Sequence, residues 1–201
     1  MTRLGIFGGT FDPPHIAHLI LAAEAHSQLS LDRLLWVLTP TPPHKHEREI
    51  TPLVDRLPMV QSAIDVDPDF ELSRVDIERQ PPHYALDTVR LIRQKHPQAE
   101  LFYLMGGDSL RDLHTWYKAG EFVTACDFIG VMRRPDDNVL LLTVEEKIPG
   151  IQKKLLFIDA PRLEISASDI RRRISECRPF RYFLPPGVYE YVLKHNLYRN
   201  P

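Results

Sequence analysis

The chain has 201 residues, 43% of them hydrophobic and 26% charged, enough apolar material for one sizeable core and an ordinary charge for a protein that works in water. A net charge of -2 excludes a nucleic-acid binder that relies on bulk electrostatics, and Cys126 and Cys177 are too few for a disulfide framework and supply no CxxC pair for zinc. No apolar run reaches the length of a membrane span, and the first strand starts where a signal peptide would stand, so the expected compartment is the cytoplasm, with neither nucleic acid nor membrane as partner.

In chain order, strands and helices alternate. Leu4, Ile6 and Phe7 end a short apolar run of buried-strand length, and Gly8 and Gly9 follow as a turn. Thr10, Phe11, Asp12, Pro13 and Pro14 form a stiff, non-helical connection, because each proline fixes its own φ and restricts the residue before it. The spacing of Ile16, Leu19, Ile20 and Ala23 is helical. Residues 33–38 (RLLWVL) read as a buried strand, closed by a proline-rich loop that carries His44, Lys45 and His46. Residues 53–64 have helical spacing, with Pro58 as an obstacle inside them.

Residues 70–75 are expected as a short strand, 84–95 as a helix and 100–105 (ELFYLM) as a strand ended by Gly106, Gly107 and Asp108. Short helical turns are expected over 110–122, around Trp116. Strands follow at 127–132 and 155–158, then helices at 168–176 and 188–195. This alternation implies an α/β fold, doubly wound, with a mostly parallel sheet and helices on both faces. It is read as a single domain over residues 1–201, in which 166–201 form a small helical C-terminal subregion. Ligands of such sheets sit outside the C-terminal ends of the strands, where the motif-bearing loops would meet.

The first loop has the chemistry of an anion site. The first turn of a helix carries unpaired N–H groups and partial positive charge, and His15 and His18, at i and i+3, are expected on one face of that turn. Each can donate a hydrogen bond to a phosphate oxygen, and Thr10 can add a hydroxyl. A plain strand–helix turn with two exposed histidines is the alternative. Lys45, at the end of the second loop, can reach a phosphate as a mobile point charge. His44 and His46 lack a third ligand at a useful spacing, which argues against a protein-held metal.

In the third loop Asp108 can accept from ribose hydroxyls or cap the following helix, and Trp116 can stack on an aromatic ring or belong to the core. In the fourth loop, ISASDIR, Ser168 is a good N-cap that forms a second anion site with Ser166, and Arg171 can bridge two phosphate oxygens. An ordinary capped basic helix is the plainer explanation. The GxGxxG dinucleotide fingerprint is missing from the first loop, which weakens a dehydrogenase reading.

GGTFDPPHIAH resembles the (H/T)xGH signature of the nucleotidyltransferase superfamily, and ISASDIR resembles its ISSTxIR signature. Together with PPHK, HYALDT, GGDSL and Trp116, in that order from Gly5 to about Tyr198, the chain resembles the bacterial nicotinate-mononucleotide adenylyltransferases. Ala17 stands where the family has glycine, and Ala167 and Ser168 where it has Ser-Thr; both changes are small for small.

The resemblance implies a Rossmann-like fold and transfer of AMP from ATP to nicotinate mononucleotide, giving deamido-NAD and pyrophosphate. The mononucleotide phosphate would attack the α-phosphorus directly, with Mg2+ carried by ATP and no metal held by the protein. By this resemblance His15 and His18 bind the triphosphate, with Lys45 and Arg171 also in catalytic positions. Gly8, Gly9, Thr10 and Phe11 line the nucleotide turn, Ser166 and Arg171 hold the β- and γ-phosphates, Asp108 meets a ribose, and Arg134 lies near the nucleotide. Trp116 stacks on the pyridine ring, and backbone N–H groups near Tyr84, Ala85 and Tyr117 read its carboxylate. A homo-oligomer is compatible with the sequence.

Related readings share part of this pattern. A pantetheine-phosphate adenylyltransferase or a cytidylyltransferase shares the first signature, and so does a fragment of a class I aminoacyl-tRNA synthetase, against which the length and the lack of a tRNA-binding appendage speak. A non-catalytic nucleotide sensor would not need both histidines and Arg171.

Overall fold

The computed structural model describes residues 1–42, 50–132, 137–161 and 163–199. Its strands are β1 (Arg3–Gly9), β2 (Arg33–Leu38), β3 (Phe70–Ser73), β4 (Glu100–Gly106), β5 (Phe128–Met132) and β6 (Leu155–Ile158). They form one six-stranded sheet in the order β3-β2-β1-β4-β5-β6. Every neighbouring pair runs parallel, so the expected mostly parallel sheet is parallel throughout. The order turns back at β1, whose two neighbours are β2 and β4. Ligands bind at such a switch point because the connections on either side leave toward opposite faces and open a crevice.

Period-two alternation makes both faces apolar. Along β2, Leu34, Trp36 and Leu38 enter one core with Phe7, Phe102 and Leu104, while Leu35 and Val37 enter the other with Ile6, Leu101 and Tyr103. The first core is covered by α1 (Ile16–Gln28), α2 (Leu53–Ile64), α7 (Ala167–Ser175) and α8 (Pro186–Lys194). Over the other lie α3 (Ala85–Lys95), α4 (Gly107–Asp112), α5 (Ala119–Ala125) and α6 (Asp137–Lys147). The C-terminal helices belong to the main core, since Ile170, Ile174, Val188 and Val192 pack in the same cluster as Trp36.

Pro58 does not break α2. The carbonyl its ring leaves without a donor is that of Val54, an exposed residue, so water can take the place of the lost hydrogen bond. Three expectations need correction. β3 stops at Ser73, two residues early, because the chain turns inward to bury Val75 and Asp76. α7 is capped by Ser166, not Ser168; the Ser166 hydroxyl accepts from the Asp169 amide at 3.1 Å. The helix α6 has no counterpart among the sequence expectations, because its consecutive leucines followed by Thr143 and Val144 carry no helical period.

One buried cation ties the loops to this frame. Arg56 projects from α2 and is 2% exposed. Its Nε donates to the Thr51 carbonyl (2.7 Å), one terminal nitrogen to the carbonyls of Thr10 and Thr39 (both 2.9 Å), and the other to Pro40 (2.7 Å). Burial lowers its pKa from the ordinary arginine value, and the Asp12 carboxylate works against that by favouring the charged form. Arg56→Met is expected to lower stability by about 3–5 kcal/mol, since it takes the guanidinium donor from four carbonyls. Chemical denaturation measures this directly, and an unchanged midpoint would remove Arg56 from its structural role.

Candidate active site

The C-terminal edge of the sheet opens into two cavities that share Gly9 and Thr10. The larger, of about 430 Å³, lies between the loop after β1 and the start of α7. His15, His18, Ser166, Ser168 and Arg171 line it, with Phe11 and Asp108. The smaller, of about 170 Å³, lies under the start of α3 and is lined by Gly8, Tyr84, Ala85, Trp116 and Tyr117. Of the residues assigned to ATP by resemblance, all the described ones except Gly8 thus gather in one cavity, and those assigned to the mononucleotide in the other. Lys45 and Arg134 lie outside the described residues.

Both glycines of the first loop are required by close packing. A Cβ on Gly8 would sit 2.9 Å from the Tyr103 hydroxyl, and one on Gly9 would meet the Phe11 ring at 2.9 Å. Phe11, at φ 44°, turns its own ring into the core, where it packs edge-on to Phe7 (5.4 Å) and against Trp36 (4.9 Å). Its part in the nucleotide turn is therefore to back the loop and the His18 ring, which it meets edge-on at 5.1 Å.

The histidines do not share the first turn as expected. The two prolines delay the helix, so His15 is the N-cap of α1 and His18 its third residue. Their rings stack at 3.6 Å with 18° between planes. The His15 amide donates to His18 Nδ1 at 3.1 Å, which places the proton of a neutral His18 ring on Nε2. Phe7, Phe11 and Trp36 meet that ring edge-on and hold its plane. His15 is 5% exposed, and its buried Nδ1 has no hydrogen-bond partner among the described residues. Burial alone lowers its pKa to about 4.

Arg171 is less free than a phosphate fork in solution. One terminal nitrogen donates to the Asp12 carbonyl and lies 3.8 Å from the Asp12 carboxylate, and the other donates to the Ser168 hydroxyl at 3.1 Å. Asp12 is itself buried and accepts from the Tyr198 hydroxyl at 2.9 Å. Burial and this carboxylate both raise the Tyr198 pKa, keeping the phenol a donor. Asp108 is not a helix cap; Gly106 holds that position, and Asp108 is a half-exposed residue 3.2 Å from Arg111.

Trp116 satisfies both of its readings, packing against Phe122 (5.3 Å) and Tyr103 (6.2 Å) while lining the smaller cavity. Tyr84 and Tyr117 stack on one another at 4.1 Å beside it. Sequence reasoning missed Asp12, Arg56, Tyr198, Asp76, Arg79 and His83 as site builders. Only Asp12 and His83 stood in motifs that were noticed. Among the described residues no group of three His, Cys, Asp or Glu side chains is placed to hold a metal, and no helix is long and apolar enough to cross a membrane.

A parallel sheet reversing at β1, with a paired-histidine loop at the reversal, defines the nucleotidyltransferase class, and residues 6–173 match the family model described as cytidylyltransferase-like. Among curated relatives, a probable nicotinate-nucleotide adenylyltransferase of Thermomicrobium roseum is 44% identical over 99% of this chain and 92% of its own length. The nicotinate-nucleotide adenylyltransferase of Bacillus subtilis is 39% identical over the whole of both chains. A Plasmodium falciparum nicotinic acid mononucleotide adenylyltransferase complexed with NaAD superposes with a TM-score of 0.77 over 98% of each chain at 21% identity, a likeness of fold. The chain belongs to the nicotinate-nucleotide adenylyltransferase family.

His15 makes the stability of the ligand-free protein depend on pH. An unfolded histidine takes up its proton near pH 6.5, whereas the folded one stays neutral down to about pH 4. Between those values the unfolded state binds more protons, so stability falls as pH falls through this window and levels off for this group below it. His15→Asn is expected to remove up to ~3 kcal/mol of that decline. Denaturation curves at pH 7 and pH 4.5 test this; equal declines in both proteins would mean that His15 takes up its proton as readily in the folded state as in the unfolded one.

Proposed function

We propose that this chain transfers AMP from ATP to nicotinate mononucleotide, yielding deamido-NAD and pyrophosphate. The observation that carries the proposal is the pair of cavities meeting at Gly9 and Thr10. A triphosphate laid along His15, His18, Ser166 and Arg171 brings its α-phosphorus to that junction, and a mononucleotide held by the aromatic cavity brings its phosphate to the same place. An oxygen of that phosphate attacks the α-phosphorus, the bond to the β-phosphate oxygen breaks, and pyrophosphate leaves. No covalent enzyme intermediate is needed, so the protein contributes positioning and stabilisation of charge.

His18 suits the second task. Its Nδ1 accepts from a backbone amide, which places the proton of the neutral ring on Nε2, a donor of the kind that stabilises a phosphate oxygen as it gains charge. His15, neutral by burial when the site holds no anion, regains a proton more readily once phosphate stands beside it. Asp108 meets a ribose from the rim of the larger cavity, and Lys45 and Arg134 keep, by resemblance alone, the phosphate-side and nucleotide-side roles assigned to them. Magnesium enters with the nucleotide, bound to the phosphates of ATP. The pyridine ring lies against Trp116, and its carboxylate meets the amides at the start of α3 and near Tyr117.

Pyrophosphate release from ATP and magnesium, compared for nicotinate mononucleotide, nicotinamide mononucleotide and phosphopantetheine, tests the assignment. Release is expected with the nicotinate form above the others. Release with phosphopantetheine alone would keep the phosphate chemistry and overturn the acceptor; ATP binding without release would favour a nucleotide sensor. His18→Ala is expected to lower kcat by about 100–1,000-fold, the cost of losing one preorganised donor. Its denaturation midpoint should move little, and loss of folding in step with activity would make His18 structural.

A further inference from the structure

The start of α3 forms one wall of the smaller cavity, and an ion pair between buried Asp76 and half-buried Arg79 supports it. Asp76 is 2% exposed and lines the cavity, as do His83, Ala85 and Thr88. Arg79 does not line it. From behind the wall, its Nε donates to the Asp76 carboxylate at 3.0 Å. One terminal nitrogen donates to the Pro82 carbonyl at 2.7 Å, and the other reaches the Tyr84 carbonyl at 3.2 Å and the Thr88 hydroxyl at 3.3 Å. The guanidinium therefore grips the backbone on both sides of His83. The His83 ring braces the same segment from the front, with its nitrogens 3.2 Å from the Thr41 carbonyl and 3.4 Å from that of Arg79.

The Tyr84 carbonyl also accepts from the amides of Asp87 and Thr88, at 3.1 and 3.2 Å, which closes the first turn of α3. Holding that oxygen fixes the direction in which the remaining first-turn amides point. Charge matters as much as direction. The amides and the helix dipole favour an anion in the cavity, whereas a bare Asp76 carboxylate in the same wall would repel one. Thr88 donates to Asp76 at 2.7 Å, but a hydroxyl does not cancel a charge. Among the described residues only Arg79 is paired with Asp76 as a cation.

We infer that Arg79 is a positioning residue for acceptor specificity: by fixing the first turn of α3 and neutralising Asp76, it lets that turn favour an acceptor whose ring bears a carboxylate over one bearing a carboxamide. The inference rests on the acceptor assignment proposed above. It predicts opposite signs for the two halves of the pair. Arg79→Gln leaves Asp76 facing the acceptor uncompensated, which penalises the anionic ring. Asp76→Asn leaves Arg79 uncompensated, which favours it.

The test is the steady-state kinetics of the full-length enzyme with ATP and either nicotinate or nicotinamide mononucleotide. Arg79→Gln is expected to raise the KM for the nicotinate form about tenfold, to lower the nicotinate-to-nicotinamide ratio of kcat/KM by a similar factor, and to leave the KM for ATP within about twofold. Asp76→Asn is expected to hold or raise that ratio, and the double variant to return it toward the starting value. Arg79→Lys, which keeps the charge and loses the fork, should retain the ratio with a raised KM. A KM for ATP that rises in step, or a ratio untouched by Arg79→Gln, would overturn the inference. Should Arg79→Gln not fold, Asp76→Asn decides, because a lowered ratio there contradicts the charge argument. An unaltered enzyme that does not use nicotinate mononucleotide would overturn the acceptor assignment, and this inference with it.

Discussion

The active edge of this protein depends on a guanidinium buried where loops converge. Arg56 closes hydrogen bonds to Thr10, Thr39, Pro40 and Thr51, carbonyls from three separate segments of the chain. Those segments carry no regular pairing of their own at these points, and a buried carbonyl without a donor is costly. One planar group with five N–H donors satisfies them together, which a lysine ammonium could not do in one plane. The loop after β1 and the loop after β2 are thereby held to α2. The walls of both cavities inherit their positions from that node.

A second node pins the loop from the opposite side. Asp12 joins Arg171 of α7 and Tyr198 near the C-terminus to the connection between β1 and α1. Residues separated by more than 150 positions in sequence meet at Asp12, Arg171 at its carbonyl and Tyr198 at its carboxylate. This explains why the helical C-terminal region packs into the main core instead of standing apart, and why its arginine and serines face the paired histidines. The histidine pair is in turn set by what surrounds it: burial keeps His15 neutral, while a backbone amide and three aromatic rings orient His18. A site prepared in this way needs little reorganisation to receive the triphosphate proposed for it.

The two cavities differ in character. The larger is polar, with a helix N-terminus at α7 and cationic or donor side chains around it. The smaller is aromatic, lined by Tyr103, Trp116 and Phe122 together with the first turn of α3. Asp76 stands in its wall, and Arg79 pairs with that carboxylate from outside the lining. The proposed roles, triphosphate in the larger and acceptor in the smaller, follow this difference.

Much of this was legible in the sequence, for a physical reason. Strand length, glycine and proline punctuation and helical spacing are local properties, and they marked the alternating elements of a parallel sheet and the histidine, Asp108 and ISASDIR loops at its active edge. The order of strands, and with it the meeting of those loops at β1, is set by long-range pairing and was decided only in the tertiary structure. So was the division of labour among side chains. Nothing in the spacing around Arg56, Asp76 or Arg79 distinguishes a buried charge from a solvated one, because that difference depends on carbonyls and carboxylates brought from elsewhere in the chain. The sequence by itself determined which chemistry the chain carries; burial decided which residues hold that chemistry in place.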